Sequence, residues 1–310
     1  MGKIRAICIS EKKGTVKRPV ASADLRVDYG IEQDAHAGNW HRQVSLLSWD
    51  KVEAFNARGG NVTDGDFGEN LLIEGIDCKK LPVGTRLQAG EVILEITQIG
   101  KECHRHCQIY HRVGDCIMPR EGVFAKVLQN GELQPGMDIE IISYGKSGYH
   151  AAVITASDSG ARGEREDISG PLLAKLLTER GFTVVEQLLL PDDRAGLEKE
   201  MKRLADSRQV DLILTTGGTG FSLRDQMPEA TMAVADRNAP GIAEAIRHYS
   251  LQLTGRAMLS RAASVLRGQT LIINLPGSPK AVAECMDWIG DQLEHGLGIL
   301  CGRERNCARQ

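Results

Sequence analysis

The chain of 310 residues has no apolar run near the roughly 18 residues that a membrane span needs. It lacks a charge imbalance too. The formal net charge is −3 at pH 7, so no global basic field exists to recruit nucleic acid. Up to Ser147 there are 19 basic and 20 acidic residues, and after it 19 and 21, so neither half is a charged tail. The opening segment "MGKIRAICISEKKG" has no long apolar core of a secretory signal, and no Ser or Thr at position 6 for myristoylation. Repeats and low-complexity stretches are missing. These absences predict a cytoplasmic protein with neither a membrane nor a nucleic-acid partner. Five of the eight cysteines precede residue 117, and in a reducing compartment they read as free thiols or metal ligands, not disulfides. What remains is an ordinary globular composition, 42% hydrophobic and 25% charged, at a length that fits about two domains.

The two halves differ in texture. Before about residue 145, "VILEITQIG" and "MDIEIISYG" read as strands, punctuated by turns at Gly84, Gly90, Asn130-Gly131 and Pro135-Gly136. One helix is expected, in "LLSWDKVEAFNARGG", stopped by its glycine pair. A mostly β domain over residues 1–146, a closed or partly closed barrel, is predicted. From residue 147 to 310 the rhythm changes. "HAAVITAS", "FTVVEQLLL", "VDLILTT" and "QTLIINL" read as core strands. Helices are expected between them, in "SGPLLAKLLTERG" with Ser169 as N-cap, and in "DDRAGLEKEMKRLADS", "MPEATMAVADR" and "APGIAEAIRHYSLQL", with "SPKAVAECMDWIGDQLEHGLGIL" closing the chain. This βαβ alternation predicts an α/β domain with a mainly parallel sheet flanked by helices.

The stretch "LILTTGGTGFSLRDQMPEAT" ends an apolar strand in Thr216, Gly217, Gly218, Thr219 and Gly220. Glycines there let backbone N–H groups approach an anion. No Lys-Ser/Thr follows, so it is not a Walker A loop, and the spacing is not GxGxxG. Alone, the turn reads equally well as a tight structural turn. Its neighbours shift the balance. Asp225 lies five residues on. The other strands end in "PDD" (Asp192, Asp193), in Ser157 and Asp158 with Asp167 and Ser169 beyond, and in Asn274, Pro276, Gly277, Ser278 and Lys280. Loops after parallel strands converge on one rim, where ligands bind in open α/β sheets. Backbone donors and Lys280 suit phosphates, and acids suit Mg²⁺. Each acid taken singly reads as a helix cap; together they fit phosphoryl or nucleotidyl transfer.

Residues 149–301 resemble the molybdopterin adenylyltransferase family of molybdenum-cofactor synthesis, through "SDSGARGEREDISG", "PDDR", "TTGGTGFSLRDQMPEAT", "APGIAEAIR", "LSRAASV" and "NLPGSPKA" in series. The resemblance implies that the terminal phosphate of molybdopterin attacks the α-phosphate of Mg-ATP, releasing pyrophosphate. It places the functional, metal-holding aspartates at Asp192 and Asp225, and phosphate and pterin loops at "GGTG" and "PGSPK". It implies a homotrimer formed through this half, with molybdopterin and ATP as substrates.

A second cluster lies in "GKECHRHCQIYHRVGDC", where Cys103, His104, His106, Cys107, His111 and Cys116 fall within 14 residues, with Lys101, Arg105 and Arg112 nearby. Three readings stand: a thiolate activated by adjacent cations, a zinc site from the C-x₃-C pair, or cysteines packed in a small core. Residues 3–142 resemble the MOSC domain through "DAHAGNWHRQVSLLS", "GDFGENLLIEGIDCKKLPVGTRLQAGEVILEITQIGKECHRHCQIY" and "GDCIMPREGVFAKVLQNGELQPGMDIEI". That resemblance implies binding of molybdenum cofactor or a pterin precursor. It implies a cysteine carrying sulfur or ligating metal, at Cys107 or else Cys103. His36, His41 and Arg42 are candidates for the same pocket, each alone reading as a turn or surface residue, and "FGENL" reads as a tight barrel turn whose Glu69 and Asn70 are also pocket candidates. A molybdenum-insertion protein or a molybdoenzyme would be the protein partner. The alternative reading is a non-catalytic molybdopterin carrier with a zinc-stabilised first module.

Overall fold

In the first half, alternating apolar stretches supply the seven strands of a ring: β1 (Gly2–Ile9), β2 (Val44–Ser48), β3 (Leu71–Glu74), β4 (Arg86–Ala89), β5 (Val92–Ile99), β6 (Val123–Gln129) and β7 (Asp138–Ser143). The computed structural model describes residues 1–103 and 108–302. Strand β7 pairs with both β4 and β1, which closes the ring β7-β4-β5-β6-β2-β3-β1 into a barrel. Alternation decides which side chains fill it. Leu46, Leu71 and Ile73 join the interior with Ile4, Leu87 and Leu94, whereas Leu47 and Leu72 point outward. Only β2 and β3 run parallel among the ring pairings, and a parallel neighbour needs a crossover. Helix α1 (Trp49–Asn56) supplies it, laying Val52 and Phe55 over Leu47, Leu72 and Phe67. The helix expected from Leu46 therefore starts later. Leu46 and Leu47 belong to β2, a strand of five buried residues with a partner strand on each side.

The chain divides into two compact units, Met1–Ser147 and Gly148–Gln310. The second contains β8 (His150–Ala156), β9 (Thr183–Leu190), β10 (Leu212–Thr216), β11 (Arg237–Asn238), β12 (Ser264–Arg267) and β13 (Thr270–Leu275), in the order β9-β8-β10-β13-β12-β11. The first four in that order are parallel; β12 runs antiparallel to β13, and β11 antiparallel to β12. The antiparallel turn comes from a hairpin at Gly268, whose φ of +53° glycine tolerates. Val153, Leu214 and Ile273 meet α2 (Ser169–Glu179), α5 (Pro240–Leu253) and α6 (Pro279–Leu300) on one face. Ile154, Ile213 and Ile272 meet α3 (Arg194–Lys202) and α4 (Met227–Ala233) on the other. Among the described residues, no helix is long and apolar enough to cross a membrane.

The register places the carboxyl ends of the parallel strands side by side. Ala156 pairs with Leu190, Thr155 with Thr216, and Thr216 with Leu275. The loops that follow these strands leave from one edge.

Candidate active site

A cavity of about 620 Å³ opens at that edge. It is lined from all four loops, by Ser157 and Asp158, by Asp192, by Thr216 to Gly218 with Asp225, and by Gly277 and Ser278. The glycine turn is dictated by crowding. Gly217 and Gly218 have φ of +92° and +64°. A Cβ at Gly217 would lie 2.3 Å from the Ala156 carbonyl oxygen, and one at Gly218 2.9 Å from Asp192 Oδ1. Arg261 fastens this loop from behind. Its Nε donates to the Gly220 carbonyl (2.7 Å) and its Nη2 to that of Asp225 (2.6 Å). Its backbone N–H donates to Thr219 (2.9 Å), and its Nη1 pairs with Glu229.

The acids have different environments. Asp158 and Asp192 clasp each other across two loops: the Asp158 N–H donates to Asp192 Oδ2 (3.1 Å) and the Asp192 N–H to Asp158 Oδ1 (3.0 Å). Arg224 binds Asp158 with both Nε (2.9 Å) and Nη2 (2.8 Å). That guanidinium holds the Asp158 carboxyl below the usual range. Asp192 goes the other way. Burial pushes its carboxyl up, and the charges of Asp158 and Asp225 add to the shift. Its Oδ1 is buried and has no hydrogen-bond partner among the described residues. A desolvated, crowded carboxylate oxygen with nothing to accept from fits a cation ligand. Asp225 accepts the Ser222 N–H on Oδ2 (2.9 Å), which fixes it at the end of the glycine loop. Across the whole lining, five carboxylates face three arginines, a formal charge of −2. Polyanions enter such a site only with added cations.

Residues 152–295 match the probable molybdopterin binding domain family, and residues 33–140 match the MOSC domain. Over 155 residues the chain is 37% identical to a molybdopterin adenylyltransferase of Helicobacter pylori, covering 49% of this chain and 88% of the relative. The chain belongs to the molybdopterin adenylyltransferase family. It is 40% identical over 151 residues to the molybdopterin adenylyltransferase of Escherichia coli, covering 47% of this chain and 77% of that one. A solved structure of the molybdopterin biosynthesis enzyme MoaB from Thermus thermophilus is 41% identical, covers 50% of this chain and 97% of its own, and superposes with a TM-score of 0.48. This chain thus carries a MOSC domain ahead of a family domain of molybdenum-cofactor biosynthesis.

Several residues singled out in the adenylyltransferase-family half do not reach the cavity. Asn274 is fully buried. Its Nδ2 donates to the hydroxyls of Thr215 (3.0 Å) and Thr231 (2.8 Å), and its Oδ1 accepts the Ala263 N–H (3.1 Å). It bolts β13 to its neighbours. Thr219 is buried beneath the loop. Pro276 receives the Thr216 hydroxyl on its carbonyl (2.7 Å), and the side chain of Lys280 is 87% exposed beside Glu284. Ser169 is not the N-cap of α2. Asp167 Oδ1 accepts the Gly170 N–H there (3.0 Å), while the Ser169 hydroxyl donates to the Gly277 carbonyl (2.8 Å) and ties two loops of the rim. Ser157 caps the short turn after β8, accepting the Gly160 N–H (3.1 Å). The "PDD" pair separates by role: Asp193 caps α3 through Gly196 (2.8 Å), leaving Asp192 to face the cavity. Arg224 and Arg261 were missed as separate actors, although both lie inside the quoted "SLRD" and "LSRAASV" motifs.

In the MOSC domain, Cys103 is exposed and Cys116 buried. His104, His106 and Cys107 lie outside the described residues, as does the side chain of His111. Among the described residues, no group of three or more His, Cys, Asp or Glu is arranged to hold a metal. Glu69 and Asn70 are buried at the barrel wall. Glu69 Oε1 accepts the Gly65 N–H (2.6 Å), and burial pushes its carboxyl up to about 7. Asn70 donates to the Cys8 carbonyl (3.0 Å) and to Asp34 (3.2 Å), which forms a buried pair with Lys17. His36 Nδ1 lies 3.4 Å from Asp34, His41 bonds Gln98 (3.0 Å), and Arg42 stacks over Trp40.

Proposed function

We propose that the second unit adenylylates molybdopterin, with ATP as donor, and releases pyrophosphate. One observation carries this reading: the buried, partnerless Asp192 oxygen sits against a glycine turn at which four strand-end loops meet. A phosphate oxygen of molybdopterin forms the new bond to the α-phosphorus, and the bond to the pyrophosphate oxygen breaks. The attacking phosphate is already ionised at neutral pH, so the protein's work is alignment and charge neutralisation, not proton removal. Backbone N–H groups of the glycine turn and the start of α6 at Ser278 cradle phosphates. Asp192 and Asp225 would hold Mg²⁺, which neutralises phosphate charge when bound. Arg261 keeps Asp225 and the turn in place. Thr216 to Gly220, Ser157, Asp158, Ser169, Pro276 and Gly277 frame the site or fix its loops, whereas Lys280 lies outside it.

The first unit is proposed to bind molybdenum cofactor and to hand over or sulfurate it through a cysteine, Cys107 or Cys103. Fusion raises the effective concentration of an unstable intermediate at the second site. Family likeness supports a cytoplasmic homotrimer through the second unit, and light scattering of the purified chain would test it. The deciding experiment is pyrophosphate release from ATP with molybdopterin and Mg²⁺, wild type against Asp225→Ala. The variant is expected to fold normally and lose nearly all turnover. A well-folded variant with near-normal turnover would remove the assignment.

A further inference from the structure

The geometry points to Arg224 as a transferable counterion, paired with Asp158 at the cavity and delivered to the terminal phosphates of an entering nucleoside triphosphate. This rests on the adenylyl-transfer reading and deepens it. Arg224 has no fixed seat of its own. It rides on the exposed "FSLRD" stretch, between Leu223, which is 95% exposed, and Asp225. Its own side chain is 64% exposed, and both of its bonds to protein side chains go to Asp158. The other guanidinium fastened at the loop, Arg261, is committed to backbone carbonyls and Glu229, so it cannot leave without unmaking the turn. Arg162 at the mouth is satisfied by Glu164 (2.8 and 2.9 Å).

Asp158 does not depend on Arg224 to stay in place. Its Oδ1 also accepts the Asp192 N–H, and its own N–H donates to Asp192, so the clasp between those two loops survives if the guanidinium departs. A triphosphate offers more negative charge than one carboxylate and the same two-point geometry for a guanidinium. A single divalent ion leaves a bound triphosphate under-neutralised, so a lining cation that can turn toward it is useful. A fixed brace and a transferable cation predict opposite signs for one substitution. If Arg224 merely props Asp158, removing either partner weakens nucleotide binding. If Arg224 is shared between Asp158 and phosphate, removing the carboxylate frees it and tightens binding.

The test is titration calorimetry of the full chain with Mg-ATP and with Mg-AMP, on wild type, R224Q, R224K and D158N, each checked by circular dichroism. The amide of D158N retains an oxygen for the Asp192 N–H. R224Q is expected to raise the Kd for ATP at least tenfold while moving that for AMP less than threefold. R224K should recover part of the loss, since it restores charge but not the two-point contact. D158N should lower the Kd for ATP several-fold. A folded R224Q with unchanged ATP affinity overturns the inference, as does a D158N that weakens ATP binding to the same degree as R224Q. Wild type that binds neither nucleotide overturns the adenylyl-transfer reading together with this one. Wild type that binds ATP beside an unaffected R224Q overturns this one alone.

Discussion

Gly218→Ala separates the stability of the glycine turn from its chemistry. The φ of +64° is left-handed, which costs an alanine about 1–2 kcal/mol. The smaller entropy of the unfolded alanine chain returns about 0.4–1 kcal/mol. The net loss is therefore about 1 kcal/mol, or a fall in Tm of about 2–4 °C for a domain of this size. The new methyl would lie 2.9 Å from Asp192 Oδ1. The neighbour that must yield is the tip of a side chain, so the clash is relieved by turning the carboxylate by about half an ångström. Misplacement on the scale of 1 Å can cost about 100-fold in rate, so half that displacement is expected to lower kcat/KM about tenfold. Gly217→Ala is the control. Its methyl would lie 2.3 Å from the Ala156 carbonyl oxygen, which belongs to the last residue of a core strand and cannot turn aside. It should be the more destabilised of the two. Thermal denaturation by circular dichroism and a coupled pyrophosphate assay measure both quantities. Folded Gly218→Ala protein with wild-type turnover would refute the role given to Asp192. Equal destabilisation of the two variants would refute the distinction between side-chain and backbone clashes.

Arg261→Ala removes the side-chain bonds to Gly220, Asp225 and Glu229, and should speed amide hydrogen exchange over residues 217–225 while lowering turnover at least tenfold. Asn274→Ala leaves the Ala263 N–H without its side-chain acceptor and opens a buried hole. A loss of about 2–4 kcal/mol in denaturant unfolding is expected, with ATP affinity in the remaining folded protein changed less than threefold. Glu69 gives a pH signature. Its folded pKa, about 7, lies above its ordinary value of 4.5. Its contribution to stability is therefore fully present below pH 4.5 and lost as pH rises through 7, on the order of 3 kcal/mol in all. Glu69→Gln should abolish that component, so the stability difference between variant and wild type should grow in the variant's favour from pH 5 to pH 8. A difference independent of pH would show that Glu69 titrates normally.

Local chemistry made much of this protein legible before its fold was known. The change from strand-and-turn texture to βαβ rhythm near residue 147 depends on side-chain period and turn residues, which neighbouring positions carry. The placement of the cavity-lining loops at strand ends follows from the same rhythm, since successive parallel strands must end on one edge. Tertiary structure decided the rest, because it turns on contacts between distant segments. Closure of the barrel requires Gly2 to meet Ile139. The strand at Ser264–Arg267 reverses direction because a glycine turn folds it back onto Thr270–Leu275, a pairing that its composition does not announce. Asp192 and Asp193 are chemically alike; only the helix beginning at Arg194 takes one as its cap and leaves the other facing the cavity. Asn274 reads as a pocket residue from its motif, yet burial commits all of its polar atoms to the scaffold. Residue type sets what a side chain is able to do, and the packing of remote segments around it decides what it is left free to do.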